Sequence, residues 1–167
     1  MANNLDGVEL LTAELVESVL EAARASPRRR MNHNFHTGPE DNPHRFLNVL
    51  LRHTYIRPHR HLNPPKAEMF VVLEGHVRIW CFDETGNVTA EYLLGRGEST
   101  VPWGIDLKPG VWHTVTAVSD HAVCLEVKPG PWNPATDKEF AAWAPAEGDP
   151  RAAEFLQRLL EGSNNAA

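Results

Sequence analysis

The sequence lacks long hydrophobic runs and has few cysteines. No apolar run approaches the roughly 18 residues that a membrane-spanning helix needs. Its two cysteines, Cys81 and Cys124, lie in apolar segments, where a free cysteine usually behaves as a small buried hydrophobe. The first residues carry no positively charged segment followed by an apolar run. We therefore expect no disulfide framework, no signal peptide and a cytoplasmic location.

Positive charge is also scarce. Sixteen Lys and Arg residues stand against 22 Asp and Glu residues, which gives a net charge of −6. Nucleic-acid binders and proteins that bind anionic membranes need the opposite sign, so both partner classes are disfavoured. The chain also lacks a GxSxG elbow, a Walker loop and a GxGxxG motif. The composition, with 42% hydrophobic residues in 167, is typical of one globular domain, residues 1–167.

Short strand-like segments separated by prolines and glycines fill the middle of the chain, residues 30–130. Strands at this spacing favour an antiparallel barrel or sandwich over a parallel α/β sheet. The predicted strands are residues 46–51, 54–61, 67–73, 77–82, 88–94, 99–103, 112–118 and 122–127.

Both ends of the chain predict helices. In residues 1–29, Thr12 is a candidate N-cap for an apolar stripe at helical spacing, and Pro27 ends that helix. Residues 131–162 predict a helical extension, with a short helical turn from Asp137 to Pro145. A final helix is then capped by Asp149 and begins at Pro150, and Gly162 lies just past its end. The tail, residues 163–167, is expected to fray.

Histidine is abundant, with nine residues, and the spacing of three of them predicts a metal site. His59 and His61 would point to one face of a strand, because side chains alternate along it. Glu68 opens the next apolar segment, and His113 lies in a third alternating strand. Three imidazoles and a carboxylate that converge inside a barrel suit Fe(II), Mn(II), Ni(II), Cu(II) or Zn(II).

These residues resemble the two metal-binding motifs of the cupin superfamily. The first motif is His59-x-His61, Glu68 and Gly75, and the second is the Pro-Gly-x-x-His segment that ends at His113. More narrowly, nearly the whole chain looks like a WbuC-type cupin-fold metalloprotein. The stretches that carry this resemblance are SPRRRMNHNFH, RPHRH, EMFVVLEG, PGVWHTV and GPWNPATDKEFAAWAPAEGDP.

The resemblance implies a mainly β, jelly-roll-like cupin barrel with a helix at each end. It also implies one divalent transition metal (iron, zinc, manganese or nickel) and a setting near bacterial O-antigen synthesis. We expect a small-molecule ligand, sugar-like or anionic, and a homodimer. Three hypotheses stay open: an isomerase- or epimerase-type enzyme on a sugar or nucleotide-sugar, a non-haem iron dioxygenase, and a non-catalytic sugar-binding or regulatory module.

A polar alternation precedes the first predicted strand and offers candidate substrate-binding residues. These residues are Arg30, Asn32, Asn34 and His36. They could form a hydrogen-bonding wall over the barrel mouth, suited to hydroxyls or phosphates. The alternative is an edge strand with one face in water.

Three further residues are candidates for catalysis. Tyr55 and Arg57 would share the face of His59 if the strand is regular, and Arg57 could then bind a substrate carboxylate or phosphate. The alternative for Arg57 is a salt bridge at the barrel rim. Glu126 lies in an otherwise apolar strand and is a candidate acid or base, unless its strand turns it outward.

Overall fold

The computed structural model describes residues 7–97 and 99–164, and ten strands and two helices lie within those ranges. In chain order the elements are α1 (Ala13–Ala25), β1 (Arg30–Asn34), β2 (His44–Leu51), β3 (His59–Arg60), β4 (Glu68–Glu74), β5 (His76–Phe82), β6 (Val88–Gly95), β7 (Gly104–Leu107), β8 (Trp112–Ala117), β9 (His121–Lys128), β10 (Glu139–Phe140) and α2 (Arg151–Asn164). None of the helices described there is both long and apolar enough to cross a membrane.

The strands form two five-stranded sheets that pack face to face. The first sheet has the order β1-β2-β9-β4-β7, and the second has the order β10-β3-β8-β5-β6. The paired strands within both sheets are antiparallel. The predicted mainly β, antiparallel architecture is therefore confirmed.

Strict alternation assigns each side chain to the interior or to an outer face. On β5, Val77, Ile79 and Cys81 point into the core between the sheets. Trp80 and Phe82 point outward, into a separate cluster that α2 and the segment before it cover. The inner face of the second sheet therefore lines the interior of the barrel.

Helix α1 covers the outer face of the first sheet. The Thr12 side chain accepts a hydrogen bond from the backbone N–H of Leu15 at 3.2 Å, so the predicted N-cap is confirmed. Val19, Leu20 and Ala23 pack against the outward side chains of β2. Burial of this stripe leaves the opposite face of β2 for the interior.

Gly75 forms the corner at which the chain passes from β4 in the first sheet to β5 in the second. Its φ is +71°, and a Cβ at this position would lie 2.3 Å from the backbone oxygen of His121. Both features require glycine. The glycine of the sequence motif therefore allows Glu68 and the strands of the second sheet to face one another.

Several predicted boundaries are wrong. The predicted strand 54–61 reduces to β3, and the predicted strand 99–103 is replaced by β7, which begins at Gly104. The predicted helical turn between Asp137 and Pro145 contains β10 instead, because Glu139 and Phe140 pair with β3. Long-range pairing overrides the local preference of this alanine-containing segment.

The C-terminal helix begins at Arg151, one residue later than predicted, and also ends later. The Asp149 side chain accepts a hydrogen bond from the backbone N–H of Arg151 at 2.8 Å, so the predicted cap is confirmed. The helix continues to Asn164, past Gly162, so fraying from residue 163 is not observed at the backbone. The rest of that predicted tail, residues 165–167, lies outside the described residues.

Candidate metal centre

The four predicted metal ligands meet between the two sheets. His59 on β3 pairs directly with His113 on β8, so both imidazoles point inward side by side. Glu68 approaches from β4 in the opposite sheet, and His61 follows β3. One ligand atom from each residue lies within 4.8 Å of the others. All four residues are buried, with at most 3% of their surface exposed.

Backbone carbonyls orient all three imidazoles. Nδ1 of His59 donates to the Arg57 oxygen at 3.0 Å, and Nδ1 of His113 donates to the Val111 oxygen at 2.9 Å. Nδ1 of His61 donates to the backbone oxygen of Asp137. A carbonyl oxygen can only accept, so the proton is held on Nδ1 and the lone pair of Nε2 faces the centre.

The remaining hydrogen-bonding capacity fits a metal ion. Nε2 of His113 lies 3.0 Å from Oε2 of Glu68, and Nε2 of His61 lies 3.5 Å from Oε1. Among the described residues, this buried Nε2 of His61 has no hydrogen-bond partner. Buried polar atoms are rarely left unpaired, because desolvation costs free energy. A divalent cation held by three imidazoles and a carboxylate would satisfy it and would leave room for an exogenous ligand.

The ionisation of the ligands also suits a cation. Burial holds the pKa of His59 well below its usual value, and the nearby positive charge of Lys138 lowers that pKa further. For Glu68, burial alone would raise the pKa. Interactions with the side chains of Glu126, His113 and His61 outweigh this effect and hold the pKa well below its usual value. A neutral imidazole and an ionised carboxylate are the metal-binding forms of these side chains.

Glu126 lies beside the centre, on the inner face of β9. It is 4% exposed, so the alternative that its strand turns it outward is wrong. Burial, and then the charge of Glu68, raise its pKa well above the usual value. Its Oε2 accepts a hydrogen bond from the Asn48 amide at 3.0 Å. Burial and the neighbouring carboxylate therefore favour the protonated form of Glu126, which Asn48 orients.

A cavity of about 950 Å³ lies beside these residues. Arg30, Asn32 and Asn34 face it, because their partners on β2 are Leu50, Asn48 and Phe46 of the inner face. His36 lines it as well. Strand β1 is also an edge strand of its sheet. The two interpretations of this polar segment are thus compatible, and its binding role stays a prediction.

The cavity arginines have structural partners. The NH2 group of Arg30 donates to both oxygens of the Glu147 carboxylate, at 2.7 Å each. Arg57 lines the cavity, and its Nε and NH2 donate to the Ala141 oxygen at 3.1 and 2.7 Å. The rim salt bridge is not found for Arg57 among the described residues, and its substrate-binding role stays a prediction.

Tyr55 does not reach the metal ligands. Its ring packs against Phe155 in the outer cluster, and its hydroxyl donates to the Pro145 oxygen at 2.7 Å. Burial raises the pKa of this hydroxyl to about 12. Its expected place beside His59 required a regular strand through residues 54–61, and the chain is not regular there. The structure thus removes Tyr55 from the candidate catalytic set.

A buried ionic cluster that was not predicted from the sequence lies next to the candidate ligands. Its members are Lys66, Lys128 and Asp137, joined at 2.9 Å from Lys66 to Asp137 and 3.1 Å from Lys128 to Asp137. Lys128 is two residues from Glu126 and so shares its inward face, which is a signal that alternation could have supplied. Asp137 could not be found in this way, because it lies outside any strand.

Solved structures support the fold. The capsular polysaccharide assembling protein CapF from Staphylococcus aureus superposes with a TM-score of 0.57 at 19% identity, over 69% of this chain and 32% of CapF. This chain therefore spans about a third of CapF's length. Another CapF structure contains the inhibitor 3-isopropenyl-tropolone. At this identity the likeness shows the fold alone, a small cupin-like double sheet with terminal helices.

Two shorter proteins match over most of their length. TT1209 from Thermus thermophilus has a TM-score of 0.53 at 18% identity, over 74% of this chain and 98% of its own. SO0799 from Shewanella oneidensis has a TM-score of 0.56 at 11% identity, over 78% of this chain and 85% of SO0799. No curated protein matches significantly. Residues 11–94, half of the sequence, match one family model, so the chain belongs to the family described as "Domain of unknown function (DUF6016)".

Proposed function

We propose that this chain is a metal-dependent cupin of the WbuC type. It acts on a sugar or nucleotide-sugar intermediate of bacterial surface-polysaccharide synthesis, by isomerase- or epimerase-type chemistry. The observation that carries the metal dependence is the buried Nε2 of His61, left without a hydrogen bond among four converging ligands. The polysaccharide setting is supported by the sequence resemblance and by the likeness to CapF.

The residues around the centre suit proton transfer. His59, His61, Glu68 and His113 would hold the metal, which supplies Lewis-acid polarisation of a carbonyl or hydroxyl when bound. Glu126 holds a proton on a carboxyl oxygen, in an orientation set by Asn48. A buried acid with a raised pKa can exchange this proton with a substrate atom near neutral pH.

Elemental analysis of protein purified without an affinity tag or added metal tests this proposal. We expect close to one transition-metal ion per chain and its loss in His113→Ala, which removes an Nε2 donor. The His121→Ala variant is the matched control, because that imidazole contacts Glu74 away from the centre. Circular dichroism of both variants checks that they fold.

The metal found decides among the alternatives. Zinc, manganese or nickel supports Lewis-acid chemistry on a sugar, whereas iron together with oxygen uptake supports the dioxygenase and contradicts the isomerase. Folded protein that holds no metal, and takes up none on reconstitution, would contradict metal dependence and leave a binding module. The homodimer and the cytoplasmic location stay predictions from the sequence.

A further inference from the structure

The cavity contains a lysine amino group that makes no ion pair with the described residues. Lys138 lines the cavity, and among the described residues no carboxylate is within ion-pair distance of its Nζ. Phe140, two residues later, pairs with His59 and also lines the cavity. The pairing of β10 with β3 therefore brings Lys138 close to the metal ligands.

The acidic groups nearby do not need Lys138 for neutralisation. The Nζ of Lys128 lies 3.1 Å from Asp137, 3.7 Å from Glu68 and 3.9 Å from Glu126. Lys66 adds a second contact to Asp137 at 2.9 Å. These two lysines form the ion pairs of the buried carboxylates. Burial lowers the pKa of Lys138, and an anion bound beside it would favour its charged form.

The cavity as a whole is basic although the chain is acidic. Five Lys and Arg side chains line it against three Asp and Glu side chains, in a chain of net charge −6. The Glu147 carboxylate is taken by Arg30, and Asp137 is taken by Lys128 and Lys66. A group of negative charge entering the cavity would therefore meet Lys138 without having to displace a carboxylate.

Neutral amides form another part of the wall. Asn32, Asn34 and Asn48 line the cavity, and Asn32 lies opposite Asn48 on the neighbouring strand. Asn48 is 7% exposed, and its Oδ1 has no hydrogen-bond partner among the described residues. Amide groups both donate and accept, so they match the hydroxyls of a sugar.

We propose that Lys138 binds the carboxylate or phosphate of an anionic, polyhydroxylated substrate, whose hydroxyls bind the asparagines that face the cavity. This inference rests on the proposed function and names its substrate class. It assigns Lys138 an anion-binding role that neither the motif nor the family match provides. The substrate's anion would be held in the cavity, and Glu126, which lines that cavity, interacts with the candidate metal ligand Glu68.

Calorimetric titration with three probes tests the proposal: D-glucose, D-glucuronate and D-glucose 6-phosphate. Metal-loaded wild-type protein should bind at least one anionic probe more tightly than glucose. Lys138→Met should weaken that binding by about 10- to 100-fold, the usual effect of losing a hydrogen bond to a charged group. The metal content should not change. Lys138→Arg should restore part of the affinity, and Lys108→Met, which removes an exposed charge, should have no effect.

The two anionic probes separate the sources of charge. Preference for glucuronate identifies a carboxylate, and preference for glucose 6-phosphate identifies a phosphate. Equal binding of all three probes, no binding of either anion, or unchanged affinity in Lys138→Met would overturn the role of Lys138. None of these results bears on the metal content, so wild-type protein with one metal ion per chain would still support the proposed function. Wild-type protein without metal overturns the proposed function, whereas the effect of Lys138 is still measurable on that protein.

Discussion

At the scale of single residues, the chemistry of the metal centre depends on groups behind its ligands. Each histidine ligand is oriented by a backbone carbonyl that holds the proton on Nδ1. The Asn48 amide orients Glu126 by donating a hydrogen bond to its Oε2. Such partners fix which atom faces the centre, and they tune its basicity. The ligands could be identified from spacing, but their protonation could be assigned only from these contacts.

The buried His44 predicts a pH effect on stability. Its ring stacks on His36 with 4.0 Å between the ring centres, and its Nε2 contacts the Pro39 oxygen at 3.1 Å. Burial, and then the charge of His36, lower its pKa below 6.5. Below pH 6.5 the unfolded chain therefore binds more protons at this residue than the native protein does. The free energy of unfolding must fall as the pH decreases through that range.

Replacement of His44 tests whether this residue lowers the free energy of unfolding at acidic pH. In His44→Gln, urea unfolding between about pH 5 and pH 7.5 should show a shallower loss of stability on acidification than in wild type. An identical slope in wild type and His44→Gln would show that His44 does not contribute.

At the scale of elements, the irregular segment before α2 closes one side of the cavity. It is attached by the pairing of β10 with β3 and by two side chains that donate to its carbonyls, Arg57 to Ala141 and Tyr55 to Pro145. The NH2 group of Arg30, which contacts both carboxylate oxygens of Glu147, joins the segment to β1. Through these contacts Arg57 and Tyr55, two residues expected at the reaction centre, have structural partners in this segment.

Removal of the Arg30–Glu147 pair should loosen this segment. In Glu147→Gln, the Arg30 guanidinium, with 10% of its side chain exposed, loses its charged partner. The free energy of unfolding should fall by about 2 kcal/mol. Hydrogen exchange should become faster in residues 139–149. Urea unfolding and exchange mass spectrometry measure these two effects.

An exposed pair provides the control for that variant. Glu154 lies 3.6 Å from Arg158 on the surface of α2, with most of both side chains exposed. Glu154→Gln should change stability by less than about 0.5 kcal/mol. If Glu147→Gln behaves like this control, the segment is held by its backbone pairing alone.

At the scale of the whole molecule, the metal should couple the two sheets. Glu68 comes from the first sheet, whereas His59 and His113 come from the second. A cation bound by all of them exists only in the native state. It should therefore stabilise folding by about 2.7 kcal/mol when its free concentration is 100 times its Kd.

Chelation tests this coupling. Removing the metal should lower the Tm of wild-type protein by several degrees, and adding the same metal back should restore it. His113→Ala should show little response to either treatment. Complete metal loss without a change in wild-type Tm would show that the ion does not link the sheets.

The sequence by itself determined the class of fold, the caps of both helices and the four residues of the candidate metal centre. Alternation and spacing are local signals, and Thr12, Asp149 and the paired histidines display them directly. The sequence did not determine where irregular segments run. Residues 131–150 have no dominant period, so their local preference was weaker than pairing with β3.

Only the tertiary structure decided the surroundings of the site. It turned Glu126 inward, moved Tyr55 to the outer cluster and placed Lys138 in the cavity. Each outcome depends on which strands become neighbours, and this choice is made by burial of the whole core and not by any one segment. A motif can therefore specify the metal ligands, whereas the charge of the cavity around them is a property of the folded chain.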